Sequence, residues 1–254
     1  MPVILDVKVD NVSREQAIAR IDLMLRDGGQ HIITTPNPEF VVAAQKDKDF
    51  MNILNRASLA LPDGFGLILA AKFLGIPLKE RIVGSDFVWD LAKLAAEKGH
   101  TVYLLGGKGS VVEQAAKELR MKNHELRIVG YDAGPNLNSP TAPLYSLAII
   151  GRIREACPDI LLVAFGQIKQ EKWIAKHLGD LRSVKIAIGV GGAFDFIAGR
   201  VRRAPLFLRL LGLEWFWRLL RQPWRLPRIY RAVIKFSYFI LKAKLARVQH
   251  PDKY

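Results

Sequence analysis

The sequence predicts an α/β fold, a parallel sheet with helices on both faces, followed by a basic helical appendage. Three observations carry this. Through residues 1–198, short apolar runs alternate with amphipathic segments of helical period. The runs, as in "DILLVAFG" and "VKIAIGVGG", lack the polar alternation of a half-exposed strand, so both faces of the sheet are covered. Charge is also divided: residues 199–254 hold 14 Lys and Arg against Glu214 and Asp252, whereas residues 1–198 hold 24 basic and 22 acidic residues. Almost all of the net charge of +14 therefore sits in the tail.

The elements follow in order. "HIITT" (31–35) reads as a strand, and after "PNP" a helix is expected near 39–54. "SLAL" (58–61) is a strand and 65–74 a helix. "GSDFVWDLAKLAAEKG" has Ser85 as an N-cap and Gly99 as its stop. "TVYLLGG" is a strand with a glycine-rich exit, "VVEQAAKELRMK" a helix and "RIVGY" a strand. A Pro/Asn loop fills 133–143. "DILLVAFG", "QEKWIAKHL", "VKIAIGVGG" and "AFDFIAG" repeat the strand–helix alternation. This makes 1–198 one Rossmann-like body, with a boundary at "GRVRRAP".

Two helices are expected in 199–254. In "LFLRLLGLEWFWRLLR" and just beyond it, Glu214, Arg218, Arg221 and Arg225 form one polar stripe. After Pro227, Arg228, Arg231, Lys235 and Lys242 fall within about 60° of one another, with Ile229, Val233, Phe236, Phe239 and Ile240 elsewhere around the helix. Basic and apolar together fit an anionic membrane surface better than a nucleic-acid arm, and no apolar run is long enough to span. The helix after Arg231 also leaves room for self-association. Hydrophobic residues are 50% of the chain and charged residues 24%, a globular balance. One cysteine, Cys157, permits no intrachain disulfide or cysteine zinc cluster and fits a reducing compartment. The N-terminus, with Asp6 and Asp10, does not read as a signal peptide.

In an open parallel sheet, ligands bind at the carboxyl ends of the strands. The candidates are thus "TTPNPE", "PDG", "GGKG", "GYDAG", "FGQIKQE" and "GVGGAFD". Gly106 and Gly107, ahead of a helix, suit a phosphate. Asp132 lies 26 residues past Gly106, close to where a nicotinamide enzyme places its ribose-binding acid. A dinucleotide oxidoreductase is therefore one rival reading, and a non-enzymatic basic binder another. The "DKD" string at Asp47–Asp49 reads as a solvated helix face, and the five histidines are scattered without ligand spacing. Asp63 stands alone between Pro62 and Gly64, at the end of a buried strand. It is either a turn residue or a charge held for chemistry.

The motifs "TTPNPEFVVAAQKD", "ALPDGFGL", "ERIVGSDF", "VYLLGG", "GQIKQEKWI", "GVGGAFDFIAGRVRRAP" and "GLEWFWRLLRQPWR" together resemble the WecG/TagA/CpsF family of bacterial glycosyltransferases, in order from about Val3 to Arg231. The resemblance implies an inverting, metal-independent and cofactor-free transfer from a UDP-sugar, N-acetylmannosamine or its uronic acid, to a polyprenyl-diphosphate-linked saccharide. The enzyme would sit peripherally on the cytoplasmic membrane face and serve teichoic acid, common antigen or capsule synthesis. It makes Asp63 the general base and places Thr35, Asn37 and Gln170 around the reacting groups. It sets Gly106, Gly107, Tyr131, Gly191, Gly192 and Asp195 near UDP. Arg203, Arg218, Arg221 and Arg225 become candidates for the diphosphates. The chain departs from the pattern at Ile168, where proline is usual, and in "GYDAG".

Overall fold

This computed structural model describes residues 2–134 and 142–249. Six strands form one sheet: β3 (His31–Thr34), β4 (Leu59–Ala60), β5 (Thr101–Gly106), β6 (Arg127–Asp132), β7 (Ile160–Ala164) and β8 (Ile186–Gly189). The order is β4-β3-β8-β7-β5-β6, parallel throughout. Ahead of it, β1 (Val3–Ile4) and β2 (Val7–Lys8) make a small hairpin. Asp10 ties this segment to β4, accepting from the Ala60 N–H at 2.8 Å and from Arg20 at 2.9 Å.

One face of the sheet is covered by α1 (Arg14–Met24), α5 (Gly84–Lys98), α6 (Val111–Lys122) and α9 (Ala193–Ile197). The other carries α7 (Ala142–Ala156) and α8 (Lys169–His177). A second core lies beside the sheet, among α2 (Pro38–Ala44), α3 (Lys48–Arg56), α4 (Phe65–Phe73) and the hairpin. Helix α1, the hairpin and α7 do not figure in the sequence reading. The Pro/Asn loop expected at 133–143 lies largely outside the described residues.

Three local expectations are corrected. The helix expected over 39–54 is two helices, because Asp47 accepts from the Phe50 N–H at 3.0 Å and caps α3. Its carboxylate also meets Lys172 at 2.6 Å, so the first acid of "DKD" is a cap and an inter-helix tie, not a solvated mid-helix charge. Helix α5 starts at Gly84 with Val83 before it, and Ser85 is not its cap. The first tail helix breaks at Gly212 (φ 73) into α10 (Leu206–Leu210) and α11 (Glu214–Arg221). Any Cβ on Gly212 would lie 2.4 Å from the Phe65 ring, so glycine is required there by packing as well as by φ.

The rest of the tail runs through α12 (Leu226–Tyr230), a π-helical stretch over Arg231–Lys235 and α13 (Phe236–Gln249). Phe236 and Ile240 are buried in the second core with Phe40, Leu67 and Ala71. The tail is thus packed into the body by apolar burial, the dominant stabilising term in folding. No helix among the described residues is long and apolar enough to cross a membrane.

Candidate active site

Two strand exits diverge. After β3 the chain enters α2 and α3 on the α8 side, and after β8 it enters α9 on the α5–α6 side. Adjacent parallel strands whose connections leave to opposite faces open a crevice at their carboxyl ends. A cavity of about 780 Å³ fills it, lined from the exits of β3, β4, β7 and β8 and roofed by the tail. That volume is in the range of small-ligand sites.

The crevice floor is built by backbone bonds between exits. The Leu61 N–H donates to the Thr34 carbonyl at 2.8 Å and the Asp63 N–H to the Pro36 carbonyl at 2.9 Å. Gly64 (φ 85) then turns the chain into α4, where a Cβ would meet Pro38 at 2.9 Å. So "PDG" is a turn, and the turn also aims a carboxylate into the cavity. Asp63 is half-buried at the cavity floor. Burial raises its pKa to about 6; the Gly84 and Gly64 N–H groups pull it down, Glu214 pushes it up and Arg81 pulls it down. The absence of a side chain at Gly84 keeps this floor open: a Cβ there would lie 3.3 Å from Thr35 Cγ2 and 3.5 Å from Asp63 Oδ2. Asn37 caps α2, its Oδ1 accepting from the Phe40 N–H at 3.0 Å, which leaves its NH2 for a ligand.

Thr35, Asn37, Asp63, Gln170, Gly191 and Gly192 line this one cavity. Gln170 is almost fully buried and bridges two loops. Its Oε1 accepts from the Gly191 N–H at 3.0 Å, and its Nε2 donates to Glu171 Oε1 at 2.7 Å. Glu171 in turn accepts from the Ile168 N–H at 2.7 Å, and burial raises its pKa to about 7. Ile168 has φ 71, a value that proline's ring forbids, so this loop has a backbone that a proline at 168 could not adopt.

Gly189 lets the bridge pass. A Cβ there would fall 2.4 Å from both Gln170 Nε2 and Glu171 Oε1. Gly189→Ala is expected to cost about 1–3 kcal/mol, read by thermal unfolding. An unchanged melting temperature would show that the bridge relaxes freely.

The other sequence candidates whose side chains are described do not line the cavity. Gly106 (φ 107) presses its backbone on Ala164, with a would-be Cβ only 2.6 Å from that carbonyl, and neither it nor Gly107 lines the cavity. Tyr131 is exposed on the edge strand β6. Asp195 sits on α9 under Gly192, with its Oδ2 3.7 Å from a would-be Cβ. Arg203 pairs with Asp86, donates to Ser85 Oγ at 2.7 Å and stacks on Phe196, so it braces the wall that Ser85 and Phe196 provide. Arg221 is exposed and lies over the Trp217 ring at 4.8 Å. The side chains of Arg218 and Arg225 fall outside the described residues.

The cations that do line the cavity are Arg81 and Arg228, with the acids Glu39 and Glu214. Arg228 forms a two-oxygen ion pair with Glu39 at 3.0–3.1 Å, and Arg231 joins at 3.3 Å. Sequence reading gave no site role to Arg81, Arg228, Glu39, Glu171 or Glu214, although Arg81, Glu39 and Glu171 stood inside motifs quoted for the resemblance and Glu214 and Arg228 inside the tail's polar stripes. Among the described residues no three His, Cys, Asp or Glu side chains group closely enough to hold a metal ion.

A parallel sheet with a ligand-sized cavity at its carboxyl edge, floored by one perturbed carboxylate, is the build of an α/β enzyme. The dinucleotide alternative finds little support in it, since Asp132 is held by Arg152 at 2.9 Å and by the Gly134 N–H at 2.9 Å, away from the cavity. The chain belongs to the glycosyl transferase WecG/TagA/CpsF family, whose profile matches residues 2–250. It is 33% identical to the N-acetylglucosaminyldiphosphoundecaprenol N-acetyl-beta-D-mannosaminyltransferase of Bacillus subtilis strain 168, over 83% of this chain and 79% of the relative. It is 31% identical to the protein of the same description from Staphylococcus aureus strain MW2, over 95% of this chain and 92% of the relative.

Proposed function

We propose that this glycosyltransferase moves an N-acetylmannosamine-type sugar from a UDP-sugar to a saccharide on a polyprenyl diphosphate, with Asp63 as general base. The observation that carries the reading is the Asp63 carboxylate at the floor of the shared cavity, with a pKa of about 6. A sugar hydroxyl is a weak nucleophile and needs its proton removed as it attacks. Asp63 takes that proton while the hydroxyl oxygen bonds to the anomeric carbon. The bond from that carbon to the UDP β-phosphate oxygen breaks on the opposite face, and UDP departs with the electron pair. The anomeric centre inverts, so an α-linked donor gives a β-linked product, the linkage in the relatives' descriptions.

Thr35 and Asn37 orient the acceptor, and Gln170 shapes the Gly191–Gly192 loop that holds the donor. Arg81, joined by Arg228 when its fork exchanges Glu39 for phosphate oxygens, stabilises diphosphate charge. The test is UDP release. It requires both a UDP-sugar and a short-chain GlcNAc-diphosphate lipid; release from UDP-sugar alone at the same rate would overturn the transfer.

The tail docks the body on an anionic membrane, at the cytoplasmic face where UDP-sugars are made. Phe207, Leu211, Phe216, Leu220, Trp224, Leu226 and Tyr230 are all exposed on it, beside the basic residues. An apolar face bordered by cations is the pattern of an interfacial helix. The chain is expected to float with vesicles containing anionic lipid, and binding should fall as salt rises from about 0.1 to 0.5 M. Equal flotation with zwitterionic vesicles would leave charge without a part in docking.

A further inference from the structure

The cavity has two chemically different halves. Its inner half carries Asp63, Thr35, Asn37 and the glycine loops. Its outer half is almost wholly apolar and runs between two helix faces. On α4 the face is Phe65, Leu69, Ala70 and Phe73, which begins beside Asp63 and extends about 12 Å at the helical rise. On the tail the facing residues are Ile229, Val233, Phe236, Ile240 and Leu241, spaced to share one side. The tail meets α4 at both ends of that face: Gly212 lies against Phe65, and Lys244 over the Phe73 ring at 5.7 Å.

The slot's floor is buried at Ala70, Phe236 and Ile240, while its rim residues Leu69, Phe73 and Leu241 are each about half exposed. It is therefore an open apolar channel leading away from the carboxylate. Arg228 directly precedes Ile229 of the apolar wall and pairs with Glu39 at the start of α2, beside Asn37.

We infer that this slot binds the first isoprene units of the acceptor's lipid, so that the enzyme reads the chain as well as the sugar and diphosphate. The inference rests on the transferase reading above. Its ground is the order of chemistry along one channel: a base for the sugar hydroxyl, a guanidinium for the diphosphate, then unpartnered apolar walls, and a cation at the exit. A diphosphate bearing an isoprenoid has the same order of groups, and a free phosphate or a water-soluble saccharide leaves the outer half empty. The tail packs mainly on α2, and Phe236 and Ile240, buried in the second core with residues of both α2 and α4, form the second wall.

The experiment uses the full chain in detergent-free solution without vesicles, with GlcNAc-diphosphate acceptors bearing isoprenyl, geranyl or farnesyl tails below their aggregation limits. KM is read from UDP release, and UDP calorimetry reports that each protein is folded with its donor site intact. From isoprenyl to farnesyl, KM is expected to fall by tenfold or more, because each buried methylene adds to binding. Leu69→Asp and Leu241→Asp place a charge on either rim, at positions exposed enough not to threaten folding. Each is expected to shrink that tail preference by about tenfold. Equal KM values for all three tails in the wild type would overturn the slot while leaving the transfer intact. An undiminished preference in both variants would overturn it too, and would assign the preference to a surface elsewhere. No turnover of any acceptor beside normal UDP binding would overturn the transferase reading, and the slot with it.

Discussion

Asp63→Asn is expected to lower kcat by about 10²–10⁴-fold while leaving UDP binding in place, since loss of a positioned general base costs that much. The wild type should also lose kcat/KM about tenfold per pH unit below about pH 6, where the carboxylate takes up its proton. The variant's residual activity should lack that limb. Stability is expected to move the other way. Burial raises the pKa above its unfolded value of 3.8, so the folded state holds the charged form at a cost. That cost is complete above about pH 6 and vanishes below about pH 4. Asn carries no charge, so the variant should be more stable at pH 7 by about 1–3 kcal/mol and equal to the wild type near pH 3.5. Thermal unfolding at both pH values, beside a UDP-release profile, checks the whole set. An activity loss accompanied by reduced stability at pH 7 would return Asp63 to the status of a turn residue.

Phe236→Ala is expected to cost about 3–5 kcal/mol, because a buried aromatic ring is removed from the second core. For a chain of this length that is a fall in Tm of about 10 °C. Phe236 also walls the cavity, so acceptor KM should rise well below the melting temperature while UDP affinity holds. Calorimetry of unfolding and acceptor kinetics at a low temperature separate the two effects. A lowered Tm with an unchanged acceptor KM would make the docking of the tail purely structural. The same packing alters what truncation after residue 198 should do. Sequence alone expects a more soluble body, since the deleted segment carries so much exposed apolar surface. In the fold, that deletion would also uncover Leu67, Ala70 and Ala71 and remove the cavity's second wall.

Much of the body was legible from local pattern. Strands β5, β7 and β8 are continuous apolar runs and β3 is largely so, a pattern with few alternatives once bracketed by helices of clear period, whereas the edge strand β6 (Arg127–Asp132) alternates exposed and more buried positions. Strand β4 proved shorter than "SLAL", and Asp47 showed how a short side chain can divide a predicted helix by capping it. Helix α7 went unread because nothing marks its start after the Pro/Asn stretch. At the site, the strand-end rule and the family resemblance pointed to Thr35, Asn37, Asp63, Gln170, Gly191 and Gly192, and the fold gathers all six. Gly106, Gly107 and Tyr131 obeyed the same rule, yet they end the far strands of the sheet.

By itself the sequence determined the parallel α/β class, the division of charge between body and tail, and the carboxylate waiting at the end of a strand. These follow from composition, period and near-neighbour chemistry, which act along the chain. Only the tertiary structure decided which strand exits share a cavity, because that depends on the order β4-β3-β8-β7-β5-β6, which no local pattern encodes. It decided also that Gln170 bridges the Gly191 N–H and the Glu171 carboxylate, and that Arg228 faces Glu39, 189 residues away. The perturbed pKa of Asp63 belongs to the same category. A carboxylate's ionisation is set by the water it loses and the charges brought near it, and both are fixed only when distant segments close around it.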